Sequence, residues 1–271
     1  IRKFNVKHFT PAELIRNGTF SAELMAFLWC ALQTDCSIVV AGNTGSGKTT
    51  SLNALFSFVP AQERIVVIEE TPELCIPHKH VVKLVVCREK GIEMHHLIEN
   101  SLRMRPDRVV VSEVRTGEET KAFINTLLAG QGKGSYTTFH ANSASEAIKR
   151  LEFLGIKRID IAGIDLLLVQ RRWPVVKHNG VFEERRIIEV AELDYAEPRI
   201  NMLYRFDYKK AQLARVGKSA RLYEKIERTF DKDAEKLVKE RKKVLEKLAK
   251  MRAHSTQNLS ELLKGLNHEA S

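Results

Sequence analysis

Cysteine is scarce in this 271-residue chain: there are four, and no two of them form a C-x-x-C pair. Cys30, Cys36, Cys75 and Cys87 sit among apolar residues. This pattern argues against a zinc site or a disulfide framework and predicts structural thiols in a reducing compartment. Long apolar runs are missing too. The nearest, Ile159 to Val169, is interrupted by Asp160 and Asp165 and is too short to span a membrane. The opening residues do not read as a secretory leader. Aromatic residues make up only 7% of the chain. None is interleaved with the basic runs, which argues against a single-strand nucleic-acid groove. No segment repeats.

What is present is enough apolar material, 44% of residues, for a packed core. The length suits one large domain, or a medium one with an appendage. The net charge is +10, and it is unevenly placed. From Arg205 to the end there are 18 Lys and Arg against 10 Asp and Glu, so the tail carries +8 and the rest is nearly neutral. A functional basic surface, whether for nucleic acid, membrane or an acidic protein, would belong to the tail.

The pattern alternates strand and helix. Thr10-Pro11-Ala12-Glu13 reads as a capping box opening a short helix that stops at Gly18, and Ser21 caps an apolar helix over Ala22 to Leu32. The strand Ser37 to Val40 runs into Gly42-Asn43-Thr44-Gly45-Ser46-Gly47-Lys48-Thr49, followed by Thr50 and a helix-compatible stretch ending before Pro60. This is the spacing of a phosphate-binding loop. Glycines let the backbone fold into a cradle of N–H groups, and the positive end of the next helix faces the anion. Lys48 is expected to reach the β- and γ-phosphates, with the Thr49 hydroxyl on Mg²⁺.

Two further apolar strands end in acids. Arg64 to Glu70 ends in Glu69-Glu70, with Glu73 in the loop beyond, and Arg108 to Glu113 ends in Glu113. Buried parallel strands read as continuous apolar runs, and functional side chains collect at their carboxyl ends. Glu113 is thus the expected catalytic base, and His140, ending the strand Ser135 to His140, is placed to sense the γ-phosphate. Thr116-Gly117-Glu118-Glu119 and Ser143-Ala144-Ser145-Glu146 read as further capping boxes. His78, His80, His95 and His96 lack metal-ligand spacing and read as surface histidines. Asp165 to Val169 reads as another buried strand ending in Gln170-Arg171-Arg172, and Val181 to Leu193 as an edge strand. Composition changes near Pro198. From Ser219 onward the periodicity is helical, with apolar positions including Leu222, Ile226, Leu237, Leu245 and Leu248, then Leu259 to Leu266.

Four elements stand in order: the P-loop, Ile68 to Leu74, Leu102-Arg103-Met104-Arg105-Pro106-Asp107 through Glu113 to Arg115, and Thr137 to Asn142. Together they resemble the Walker A motif, Asp box, Walker B motif and His box of the secretion ATPase superfamily. These are the hexameric motors of type II secretion, type IV pili, type IV secretion and the archaeal flagellum, and the helical tail looks more like the archaeal branch. The match covers about Ile1 to Leu193. The resemblance implies an α/β fold: a RecA-like P-loop NTPase three-layer sandwich with a small C-terminal helical appendage. The divisions it implies are 1–17 as linker and possible remnant of an N-terminal domain, 18–200 as the ATPase domain, and 201–271 as a basic helical subdomain.

It also implies ATP and Mg²⁺ as cofactors. Residues 42 to 50 would bind nucleotide, and Thr49, Glu69, Glu70 and Glu73 would hold the metal, some through water. Glu113, Lys48, Glu70, His140, Arg103, Arg105 and Arg115 would serve catalysis, the arginines near the nucleotide or the subunit boundary. The partners implied are a homo-oligomer, as a hexameric ring, and a polytopic membrane platform protein, which sets the chain in the cytoplasm at the inner face of the membrane. Nucleic acid is the less favoured partner. Departures occur at Glu70, where Asp is usual, at Ser112 for Gly, at Gln131 for a second His, and at Thr116, where some members have Asp. A separate N-terminal domain would be represented only by Ile1 to Phe4. The expected function is an ATP-driven motor for secretion or filament assembly. The alternatives are a DNA-translocating relative, or an ATP-binding module with little turnover in isolation.

Overall fold

Strand residues in this chain alternate between two cores. In β1 (Ile38–Gly42), Ile38 and Val40 enter one apolar cluster while Val39 and Ala41 enter another. β2 (Ile65–Glu69) repeats this, with Ile65 and Val67 on one face and Val66 and Ile68 on the other. Side chains of period two must do this when both faces of a sheet are covered. The structure, a computed structural model, describes residues 9–130, 132–177, 180–194 and 199–251. Gln131, Ile1 to Phe4 and the helical stretch expected over Leu259 to Leu266 lie outside them.

The sheet has nine strands, completed by β3 (Val81–Val85), β4 (Arg108–Val111), β5 (Ser135–Phe139), β6 (Leu166–Lys177), β7 (Gly180–Leu193), β8 (Ile200–Asp207) and β9 (Gln212–Arg215). Their order is β3-β2-β4-β5-β1-β6-β7-β8-β9, parallel from β3 to β6 and antiparallel from β6 to β9. One face is covered by α1 (Pro11–Arg16), α2 (Ala22–Leu32), α3 (Lys48–Leu55), α8 (Ala220–Phe230) and α9 (Ala234–Lys250). The other carries α4 (Met94–Ser101), α5 (Gly117–Leu128), α6 (Ala144–Phe153) and α7 (Arg158–Ile161). This is the three-layer α/β sandwich expected.

Local chemistry sets the helix starts. Thr10 Oγ1 accepts from Glu13 N at 3.2 Å while Glu13 Oε2 accepts from Thr10 N at 2.8 Å, and Thr116 and Glu119 form the same reciprocal pair. At Ser143 the box is incomplete: the hydroxyl caps Glu146 N, but the Glu146 carboxylate accepts from Asn142 N at 2.9 Å.

Three further expectations need correction. The strand Val181 to Leu193 is interior, because β8 pairs beyond it. Residues 200–215 hold two strands of the same sheet, so the helical part begins only at Ala220. Cys75 is exposed, whereas burial pushes the Cys30 thiol up to about 11. The C-terminal helices are also joined to the main core: Leu222, Ile226, Leu237, Leu245 and Leu248 lie in one cluster with α1 and α2. Asp165 fastens them, its carboxylate accepting from Ser37 N at 2.8 Å and pairing with Lys225 at 2.9 Å and Arg221 at 3.1 Å.

Candidate active site

A cleft of about 1010 Å³ opens at the carboxyl ends of the parallel strands, where the P-loop leaves β1. Two glycines shape the loop. Gly47 precedes α3 at φ 96°, which side chains resist, and a Cβ on Gly42 would stand 2.1 Å from the carbonyl oxygen of Gln170 on β6. Thr44, Gly45, Gly47, Lys48, Thr49 and Thr50 line the cleft. Ser46 is fully buried and does not line it. Lys48 Nζ donates to the carbonyls of Gly42 and Asn43 at 3.2 and 3.3 Å. Burial lowers its pKa, and Glu113 opposes that shift.

The strand ends supply the facing wall. Glu113 Oε1 is 2.8 Å from His140 Nε2, and Glu113 Oε2 accepts from Arg115 Nε at 2.7 Å. Arg115 Nη1 reaches Glu70 Oε2 at 2.8 Å, and Glu70 Oε1 accepts from Arg88 Nη2 at 2.7 Å. Charges of alternating sign therefore run from Arg88 through Glu70 and Arg115 to Glu113, with the His140 ring closing the row. Burial, then the Lys48 cation, lowers the His140 pKa, with Glu113 pulling the other way. Arg115 is raised, chiefly by its bond to Glu113.

Some expected site residues lie elsewhere. Glu69 is fully buried and outside the cleft, its Oε1 accepting from Glu73 N at 2.8 Å and Leu74 N at 2.7 Å. It anchors the loop that carries Glu73, and Glu73 itself lines the cleft. Arg103 and Arg105 are exposed and precede β4, so they sit at the amino ends of the parallel strands, the end opposite the P-loop. Within one chain they do not meet the cleft. Among the described residues no group of three or more His, Cys, Asp or Glu side chains is arranged to hold a metal ion.

Sequence reasoning missed β6 and β7 as a wall of the site. Gln170, Glu183, Arg185 and Arg186 line the cleft, Gln170 Oε1 accepts from Ser51 Oγ at 2.8 Å, and Arg172 lies beside the P-loop. The rule that marks Glu113 and His140 as polar ends of parallel strands also marks Gln170. Nothing local marks Arg185, which arrives on an antiparallel strand.

The pattern of the type II/IV secretion system protein family matches residues 1–263. The chain belongs to that family. One relative, an uncharacterised protein of Methanocaldococcus jannaschii, is 36% identical over 191 residues, which is 68% of this chain and 69% of that one. The type IV secretion system protein VirB11 of Bartonella quintana is 34% identical over 159 residues, 54% of this chain and 44% of its own. Among solved structures, the VirB11 ATPase from the Brucella suis type IV secretion system, in complex with sulphate, superposes with a TM-score of 0.53 at 32% identity. That match covers 68% of this chain and 56% of VirB11. The pilus retraction motor PilT with bound ADP shares the fold at 20% identity, TM-score 0.53, covering 69% of this chain and 55% of its own. This secretion-family chain thus spans about half the length of those solved structures.

Proposed function

We propose that this chain is an ATPase domain that hydrolyses Mg·ATP to drive secretion or the assembly of a type IV pilus- or archaellum-like filament. The observation that carries the reading is the convergence of Lys48, Glu113 and His140 on one P-loop cleft, with Glu113 and His140 2.8 Å apart. The Gly42 and Gly47 backbone forms the cradle that phosphate oxygens fill, and the buried Lys48 ammonium, held by two carbonyls, turns to them. Mg²⁺ would sit on the Thr49 hydroxyl with Glu70 and Glu73 holding its waters, and would neutralise charge on the phosphates. Glu113 orients the attacking water and takes its proton, and His140 fixes the Glu113 carboxylate. The family relative solved with sulphate supports an anion site in this fold.

In this reading the chain works in a homo-oligomer, a hexameric ring, at the inner face of the membrane against a polytopic platform protein. Arg103 and Arg105, exposed at the far end of the parallel strands, are then available to a neighbouring subunit's nucleotide. Steady-state hydrolysis with and without Mg²⁺, for this chain and for Lys48→Ala, tests the enzyme. Mg²⁺-dependent turnover abolished by Lys48→Ala is expected, and failure of the unmodified chain to bind ATP would sink the reading. Sedimentation with a non-hydrolysable ATP analogue tests the ring, and a species that stays monomeric with nucleotide contradicts it.

A further inference from the structure

Two arginines outside every nucleotide motif lie on the phosphate loop. The ribbon that carries them is fastened to it: Asn43 Nδ2 donates to the Arg172 carbonyl at 3.0 Å, and Arg172 N donates to Asn43 Oδ1 at 3.0 Å. From β6, the Arg172 guanidinium crosses Gly45, its Nη1 3.0 Å from where a Cβ on that glycine would stand. From β7, Arg185 runs over Gly47, its Cδ 3.7 Å from that residue's Cβ position, and donates Nε to the Gly45 carbonyl at 3.0 Å.

Arg172 and Arg185 are direct cross-strand partners. Like charges placed opposite one another destabilise a sheet, so the pair needs a counter-anion. Glu183 supplies one: its Oε2 is 3.5 Å from Arg172 Nη1 and 3.3 Å from Arg185 Nη2. One carboxylate serves two cations and is itself 50% exposed, so a surplus positive charge stands at the rim of the phosphate cradle in reach of solvent.

We propose that Arg172 and Arg185 bind the nucleotide's polyphosphate from within the same chain, exchanging Glu183 for phosphate oxygens when the nucleotide enters. The inference rests on the ATP-binding reading of the P-loop. Guanidinium is suited to this exchange, because its fork meets phosphate oxygens in two parallel bonds, and the Asn43 tether holds the ribbon in place while the side chains change partner. Glu183 acts as a resident competitor that keeps both guanidiniums over the loop until a phosphate displaces it.

Calorimetric titration of the full chain with Mg·ADP, and with adenosine as the phosphate-free control, tests this. Arg172→Gln and Arg185→Gln should each weaken Mg·ADP by roughly 10- to 100-fold, the scale of a charge-assisted hydrogen bond, and leave adenosine unchanged. Glu183→Gln should tighten Mg·ADP by roughly two- to fivefold, the scale of an exposed ion pair, a gain that misfolding does not mimic. Mg·ADP affinity within twofold of the unmodified chain in the double arginine variant, or weaker binding in Glu183→Gln, would overturn the inference. Loss of Mg·ADP binding by the unmodified chain would overturn the ATP reading as well.

Discussion

His140 Nε2 stands 2.8 Å from Glu113 Oε1. Burial and the nearby Lys48 hold the His140 pKa below the ordinary 6.5, so at neutral pH a neutral imidazole faces the Glu113 carboxyl group. A depressed pKa means that the stability of the neutral form is complete above 6.5 and is lost as pH falls through the lower folded value, where the imidazolium keeps its bond to Glu113 but adds a second positive charge beside Lys48. Turnover is therefore expected to be flat above that pH and to fall below it. His140→Gln, which keeps a donor but does not titrate, should flatten the acid limb in a pH–rate profile. An unchanged limb in the glutamine variant would remove His140 from the account.

Arg115 bridges two carboxylates that lie just beyond β2 and β4, at 2.8 Å from Glu70 and 2.7 Å from Glu113. Its side chain is 59% exposed, and exposed pairs contribute about 0–1 kcal/mol, so Arg115→Ala should barely move a denaturation midpoint. Turnover should fall by roughly 10- to 1000-fold, because the strand-end carboxylates lose the cation that sets their geometry. Equal losses of stability and activity would mean that Arg115 is only a structural tie.

At the opposite end of the sheet, Arg108 is fully buried against Glu63, Nε to Oε2 at 2.6 Å, and also donates to the Tyr136 hydroxyl. Without Arg108 the buried Glu63 carboxylate keeps Lys133 at 3.1 Å, a half-exposed cation that compensates it only in part. Arg108→Ala is expected to cost about 3–5 kcal/mol in chemical denaturation. Nucleotide affinity of the folded fraction should not change, since the pair lies away from the cleft.

The C-terminal helices are part of the main core, so Leu245→Ala on α9, at a fully buried position, should destabilise the whole chain by about 2–5 kcal/mol in one cooperative transition. Two separate transitions would mean that the helices form an independent unit.

The parts of this site that could be read from sequence are those whose signals are local. Gly42 to Thr49 specifies its own backbone, and Glu70, Glu113 and His140 are marked because apolar strands run straight into them. β7 misleads for a physical reason. Val181 and Phe182 stay 69% and 47% exposed where the ribbon leaves the sheet, while Ile187 to Leu193 is buried between two strands except at the half-buried Glu189, and the mixture imitates an edge. The composition change near Pro198 suggests a boundary that the sheet crosses, because Leu203, Tyr204 and Phe206 still pack in its two cores. Glu69 and Glu70 look equivalent in sequence. Only the fold turns one inward to hold a loop and the other toward the cleft.

The central claim is that Glu113 is the base of an ATP-hydrolysing site, and the most direct test is ATP binding and turnover measured together in Glu113→Gln. Binding within a few-fold of the unmodified chain, with Mg²⁺-dependent turnover slowed by ~10²- to 10⁴-fold, is the result predicted. Undiminished turnover in Glu113→Gln would contradict it.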